Sequence, residues 1–288
     1  MVTVRDMSFG YNNSNLFSGL NLEMEQGNIY GLLGLNGAGK TTLMKLITGL
    51  LFPKKGKIRT MGEDPSRRTP GLLSRIFVLP EELNTPSISE KEFLLSYAPF
   101  YPGYDSAQFE RYLGEFDVPR NKKLNKLSLG QKKKFMLSFG LACGSELLIL
   151  DEPTNGLDIP SKGLFRRLVA EALTDERIFI ISTHQVRDVE SLIDPITILH
   201  EGKVLFEHSM ADVNERLHMT RSSTPPAADA EGLIYSEAAV GGYWAVWKGA
   251  DVNGGPIDLE ILFNTVISRP EVYTELFRSG DSEKGAAV

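Results

Sequence analysis

Eight consecutive residues, Gly34–Leu35–Asn36–Gly37–Ala38–Gly39–Lys40–Thr41, fill the pattern G-x-x-x-x-G-K-[ST] at every fixed position. The chemistry open to such a run is the holding of phosphate. Its three glycines let the backbone curl until successive amides point inward at phosphate oxygens. Asn36, Gly37, Ala38, Gly39 and Thr42 are the expected contacts, with Lys40 as a mobile point charge for the β and γ phosphates. The Thr41 hydroxyl is suited to ligating Mg²⁺. An apolar run, Ile29 to Leu33, leads into the loop and a helical pattern from Thr41 to Leu51 leaves it, so the positive end of a helix dipole adds to the cradle. A dinucleotide-binding turn fits less well, because Thr42 stands where its last glycine is needed.

A second constellation lies downstream. Leu147–Leu148–Ile149–Leu150–Asp151–Glu152 sets two carboxylates at the end of an all-apolar strand, and ligands of open α/β sheets gather at that end. Asp151 is expected to hold Mg²⁺ through water, and Glu152 to polarise an attacking water. Thr183–His184 follows the next apolar strand, Ile178 to Ser182, and so reaches the same edge; His184 is placed to sense the γ-phosphate or to orient Glu152.

Leu127–Ser128–Leu129–Gly130–Gln131 marks another helix start, with Ser128 and Gln131 spaced as a capping box. Its free amides, serine hydroxyl and dipole make a second phosphate site. One nucleotide cannot occupy both helix starts unless they come from different subunits. A dimer is therefore expected, with a nucleotide between the loop of one chain and Ser128, Gly130 and Gln131 of the other.

Taken together, these motifs resemble the ABC ATPases, the nucleotide-binding subunits of ATP-binding-cassette transporters. The phosphate loop, Leu127–Gln131, Leu147–Glu152, Gly156–Leu157–Asp158 and His184 occur in that family's order, and the resemblance covers roughly residues 1–217. It implies ATP as the nucleotide, Mg²⁺ as its ion, Tyr11 stacked on adenine and Asp158 at the dimer interface. Two positions depart from the family pattern. Leu129 replaces a usual glycine between the two phosphate-facing residues. Glu81, after Ile76–Phe77–Val78–Leu79–Pro80, replaces a glutamine that touches Mg²⁺ and couples to the membrane partner. A carboxylate can still ligate the ion, while adding negative charge. Leu79–Pro80–Glu81–Glu82 and the C-terminal extension give the chain the look of bacterial exporter-type subunits.

The elements that must position these residues can be read from periodicity. Leu20, Leu22 and Met24 alternate with polar residues as in a half-buried strand, and Val2, Val4 and Met7 to Phe9 are strand-like. From about Pro80 the pattern turns helical. Ser89–Glu92 is a capping box ahead of Phe93, Leu94 and Tyr97, and Phe109, Tyr112, Leu113 and Phe116 share a face after Ser106. The expected fold is thus an α/β P-loop NTPase of ABC ATPase type: an α/β core, an antiparallel β subdomain, an inserted helical subdomain near 82–142 and a small C-terminal appendage. The core runs over 1–217. Ile196–Leu199 and Val204–Phe206 read as a hairpin, and Thr220 to Ala230 gives a linker over 218–230. In the appendage, 231–288, Tyr243–Trp247 and Ile257–Phe263 read as strands around a turn at Asn253–Pro256. Trp244 and Trp247 pack a small core, and Gly280 to Val288 frays. An extra dimer contact is one role open to residues 231–279.

Composition narrows the partners. A net charge of −6 argues against global attraction to nucleic acid, and none is expected as a partner. The basic run Lys122, Lys123, Lys126 and Lys132–Lys134 reads as a solvated face. Cys143, the single cysteine, cannot form an internal disulfide and reads as a small buried hydrophobe. No signal peptide and no apolar run of spanning length is visible, so the expected place is the cytoplasmic face of a membrane, held by an integral transport subunit. That subunit's contact is expected between the helical subdomain and the loop near Glu81. The rival is a soluble ABC-type ATPase acting on ribosomes or DNA. Its ribosomal forms usually carry two cassettes, and its DNA-repair forms split the cassette with a long coiled coil. Here a single cassette has only about 110 residues between Lys40 and Asp151, with no heptad pattern.

Overall fold

The computed structural model describes residues 1–12, 14–250 and 254–278; the expected fraying of Gly280–Val288, and Asn253 of the expected turn, lie outside them. The first strands, β1 (Val2–Phe9) and β2 (Phe17–Met24), pair antiparallel and bury alternate residues, as their two-residue period requires. β1 is one strand where the sequence suggests two stretches, because bulges between Val4 and Phe9 interrupt the alternation without ending the pairing. β3 (Asn28–Leu33) leads through the phosphate loop into α1 (Lys40–Ile47), and β4 (Lys55–Thr60) returns to β1. These three antiparallel strands form a sheet of order β2-β1-β4.

The central sheet has six strands in the order β5-β6-β7-β3-β8-β9. They are β5 (Ile76–Leu79), after the short α2 (Pro70–Leu73), then β6 (Leu147–Asp151), β7 (Ile178–Thr183), β8 (Ile196–His200) and β9 (Lys203–His208). All neighbours are parallel except β9, which closes the expected hairpin with β8 through a turn at Glu201 and Gly202. The all-apolar runs are strands covered on both faces. Leu147, Ile149, Ile178 and Ile180 pack beneath α1 and the antiparallel sheet, while Leu148, Leu150, Phe179 and Ile181 pack against helices on the other side.

Those helices are α3 (Glu90–Tyr97), α4 (Ser106–Glu115), α5 (Leu129–Ala142) and α6 (Ile159–Ala172). Both capping boxes form, at Ser89 with Glu92 and at Ser128 with Gln131, and Asp105 caps α4. Between 82 and 142 the regular structure is helical throughout, and Phe93, Phe109, Phe135 and Phe139 fill its centre edge to face, with ring centroids 5.0–6.2 Å apart. Cys143 is buried, and burial pushes its thiol up.

The C-terminal part departs from expectation in two ways. α7 (Met210–Arg216) runs into β10 (Leu217–Ser222), which pairs with β12 (Gly242–Lys248) beside β11 (Leu233–Ala239), so the connecting segment begins at Ser223 and not at 218. Ile257–Phe263 is not a strand: α8 (Leu259–Ser268) starts there, capped by Asp258, and α9 (Pro270–Arg278) follows. Leu262 and Val266 of α8 and Tyr273 and Phe277 of α9 join the same core cluster as Phe206 of β9. Trp244 packs against that cluster, and the Trp247 indole donates to Thr220 Oγ1 at 2.8 Å. Among the described residues, no helix is long and apolar enough to cross a membrane.

Candidate active site

The strand order decides what meets. β6, β7 and β3 are neighbours with one direction, so their carboxyl ends, Asp151, Thr183 and Gly34, share one edge of the sheet. A cleft of about 450 Å³ opens there. Asn36, Gly37, Ala38, Gly39, Lys40, Thr41 and Thr42 wall one side, Glu81, Asp151, Glu152 and His184 another, and Tyr11 lies at its mouth. The sequence singles out all of these. It misses Ser14 and Leu16, which line the cleft beside Tyr11 and carry no motif.

Gly39 takes φ +105, and a Cβ there would stand 2.7 Å from the Phe17 ring, so both conformation and space demand glycine. The turn this permits brings Lys40 back over its own loop. Its Nζ, largely buried, donates to Gly34 O at 2.7 Å and to Leu35 O at 3.3 Å. Burial lowers the lysine's pKa, opposed by the carboxylates of Glu152, Asp151 and Glu81. The cation is thus parked on backbone carbonyls at the place where phosphate oxygens are expected.

Thr41 Oγ1 donates to Asp151 Oδ2 at 2.8 Å, and the Ser182 hydroxyl donates to Asp151 Oδ1. Hydroxyl and carboxylate are the hard oxygen donors Mg²⁺ prefers. Among the described residues, no three His, Cys, Asp or Glu side chains gather to hold a metal by themselves. The pair therefore fits an ion that completes its shell with nucleotide oxygens and water. Glu81 is exposed at the rim of the same cleft.

Glu152 is buried and its carboxylate is held by donors from the end of β7. His184 reaches Oε1 through its main-chain amide at 3.0 Å and through Nδ1 at 2.7 Å, and Thr183 Oγ1 donates to Oε2 at 3.2 Å. A carboxylate only accepts, so the imidazole proton sits on Nδ1. His184 thus contacts Glu152 through both its main chain and its ring.

The helix start at Ser128 lies elsewhere. Ser128, Gly130, Gln131 and Asp158 do not line the cleft. Ser128 Oγ accepts from Gln131 N at 3.2 Å, and Gln131 Oε1 accepts from Ser128 N at 3.1 Å, which leaves the serine O–H and the glutamine amide able to donate outward. Leu129 is 56% exposed. A Cβ on Gly130 would come 2.7 Å from Gly156 O, so the glycine lets α5 start against that loop. Asp158 caps α6 by accepting from Ser161 N at 2.9 Å, and Lys134 Nζ lies 3.6 Å from it.

One reading fails at a single residue. Lys122, Lys123 and Lys126 are exposed and Lys132 and Lys134 half-buried, but Lys133 is not part of a solvated face: it is 1% exposed, and its Nζ donates to Glu152 O at 2.7 Å. The signal lay in the spacing, since Lys133 falls on the buried stripe with Leu137, Gly140 and Leu141.

Comparison with known proteins accords with this geometry. A family profile described as ABC transporter matches residues 17–155. The bacitracin transport ATP-binding protein BcrA of Bacillus licheniformis is 34% identical over 211 residues, covering 72% of this chain and 69% of that protein. The Nod factor export ATP-binding protein I of Burkholderia orbicola is 33% identical over 214 residues, 72% of this chain and 70% of its own length. A solved ATP-binding subunit of an ABC transporter superposes with a TM-score of 0.68 at 28% identity, covering 74% of this chain and 92% of the other. The phosphate loop, the paired acids and this kinship lead to one conclusion: the chain belongs to the ABC transporter family and is an ATP-binding, ATP-hydrolysing subunit.

Proposed function

We propose that two ATP-binding subunits close over two ATP molecules and that their closing and reopening drive a separate membrane-spanning partner. The observation that carries the chemistry is Glu152, held by His184 and Thr183 at the edge of the cleft walled by the phosphate loop. Lys40 exchanges its backbone carbonyls for the β- and γ-phosphate oxygens, and the loop amides from Asn36 to Thr42 hold the rest of the triphosphate. Tyr11 offers its ring to adenine at the mouth. Thr41 and Asp151 hold Mg²⁺, with Glu81 near it. When bound, the ion offsets charge on the phosphate oxygens. Glu152 orients and polarises the attacking water for in-line displacement, and His184 keeps the carboxylate aimed.

Ser128, Gly130 and Gln131 face the nucleotide of a second subunit. Their position outside the cleft, with Ser128 exposed and Gly130 and Gln131 half-buried, supports that reading, as does the helix dipole behind them. Asp158 lies at the same joint. The second subunit is another copy of this chain or a related ATPase. Exposed Leu95 and Phe100 of the helical part, together with the Glu81 loop, suit contact with the membrane partner. The subunit then works at the cytoplasmic face of the membrane. The relatives named for bacitracin transport and Nod factor export support a transport role, whereas the ribosome or DNA alternative finds no support in them.

Glu152→Gln keeps the shape of the side chain and removes its charge. Hydrolysis should fall by roughly 10²–10⁴-fold while ATP binding is kept. Phosphate-release assays and equilibrium titration with ATP measure the two separately; undiminished phosphate release would reassign the water-orienting group.

A further inference from the structure

We propose that Lys133 is a positioning residue for Glu152, tying the helix that starts at Ser128 to the main chain of the water-orienting glutamate of the same subunit. The inference rests on the reading of Glu152 given above. A lysine 1% exposed needs a reason to be buried, and its Nζ spends a 2.7 Å hydrogen bond on one backbone oxygen, Glu152 O. That oxygen belongs to a residue in an uncommon conformation. Glu152 has φ +46 and precedes Pro153, which further narrows its allowed backbone. Such a geometry persists only when the surroundings over-determine it. Three contacts do so: Glu152 N donates to Ser182 O at 3.0 Å, Asn155 N donates to Glu152 O at 3.3 Å, and Lys133 brings the contact from outside the sheet. Burial pulls this ammonium below the ordinary lysine range, opposed by the carboxylates of Glu81, Glu152 and Asp151.

The placement gives the contact a direction. Lys133 lies in α5, whose first turn carries Ser128 and Gly130. Those residues are assigned to the nucleotide of the other subunit, whereas Glu152 serves the nucleotide of its own. A shift of α5 on meeting the partner's ATP therefore reaches the main chain of Glu152 through Lys133. Side-chain aim is sensitive to such shifts, since a displacement near 1 Å can cost about 10²-fold in rate.

Lys133→Met keeps an unbranched chain of similar length, fills the same space and donates no hydrogen bond. The full chain carrying it should show kcat reduced roughly 10–100-fold, with ATP affinity within about 2-fold and an undiminished thermal midpoint. In a Glu152→Gln background the same change should add no further loss, because both act on one group. Lys133→Gln, which can still donate, serves as a second variant and should fall between wild type and Met. A wild-type kcat in Lys133→Met, a loss that follows ATP affinity or thermal midpoint, or an added loss on top of Glu152→Gln would each overturn the role of Lys133. If Glu152→Gln alone hydrolyses ATP normally, the reading of Glu152 falls and takes this one with it; if only the lysine variants are silent, the reading of Glu152 stands.

Discussion

His184 reaches Glu152 twice, through its amide and through Nδ1, and the two bonds do different work. The amide bond survives any substitution except proline, so it fixes where the carboxylate sits. The Nδ1 bond fixes how the carboxylate is turned. His184→Ala should therefore leave ATP affinity nearly unchanged and lower kcat by roughly 10²-fold, the cost typical of losing one preorganised donor. Steady-state phosphate release beside direct ATP titration separates the two quantities; a matching loss of affinity would instead give His184 a part in holding the nucleotide. At this scale the site was largely legible, because phosphate chemistry demands fixed residue types at fixed spacings. Lys40, Thr41, Asp151 and Glu152 meet in one cleft as their motifs require. Lys133 was misread because charge runs are usually solvated: its spacing from Leu137, Gly140 and Leu141 was the cue, while its bond to the β6 loop depends on packing that no pattern of charges encodes.

Elements were legible where one period dominates and ambiguous where it does not. Alternation announced β2, and the box at Ser128 announced α5. The apolar run Ile257–Phe263 supports strand and helix alike, and the Asp258 cap, accepting from Glu260 N at 2.9 Å and Ile261 N at 3.1 Å, decides for a helix. The junction between sheets carries a titration that no periodicity reveals. Glu207 of β9 accepts from Glu23 N of β2 at 3.3 Å, beside the Glu23 carboxylate and the Arg5 guanidinium. Burial, with some repulsion from Glu23, pushes Glu207 up to about 7 from 4.5, against the bond from Glu23 N and the attraction of Arg5. A carboxyl raised on folding holds its proton longer in the native state than in the unfolded chain. Its contribution is complete below about pH 4.5 and is lost as pH rises through about 7. Because the side chain is partly exposed, the loss should be about 1–3 kcal/mol. Glu207→Gln should remove that part of the pH dependence, making the variant more stable than wild type at pH 8 and close to it at pH 5. Urea unfolding across that interval measures it, and parallel pH profiles for the two proteins would rule out Glu207 as the source.

For the molecule as a whole, the surprise is that the C-terminal part does not stand apart. Its strands β10, β11 and β12 form their own sheet, yet α8 and α9 lie against β8 and β9 of the central one. Phe206 packs edge to face on Phe277 at 5.1 Å, Arg216 stacks over the same ring at 4.9 Å, and Arg187, three residues beyond His184, pairs with Glu260 at 2.6 Å. Composition could not reveal this, because a polar connecting segment looks the same whether the parts it joins pack together or not. A core shared in this way makes folding of the two parts one cooperative event, and it gives residues 231–278 work inside the monomer. Leu262, fully buried on α8, tests the point far from the nucleotide cleft. Leu262→Ala should cost about 2–5 kcal/mol. For a chain of this size each kcal/mol lowers the thermal midpoint by about 2–4 °C. The whole chain should still unfold in one calorimetric transition at that lower temperature, with ATP binding lost at the same midpoint. A split trace, with a high-temperature transition at the wild-type midpoint that retains ATP binding, would mean that the ATP-binding core holds itself together and that α8 and α9 only rest upon it.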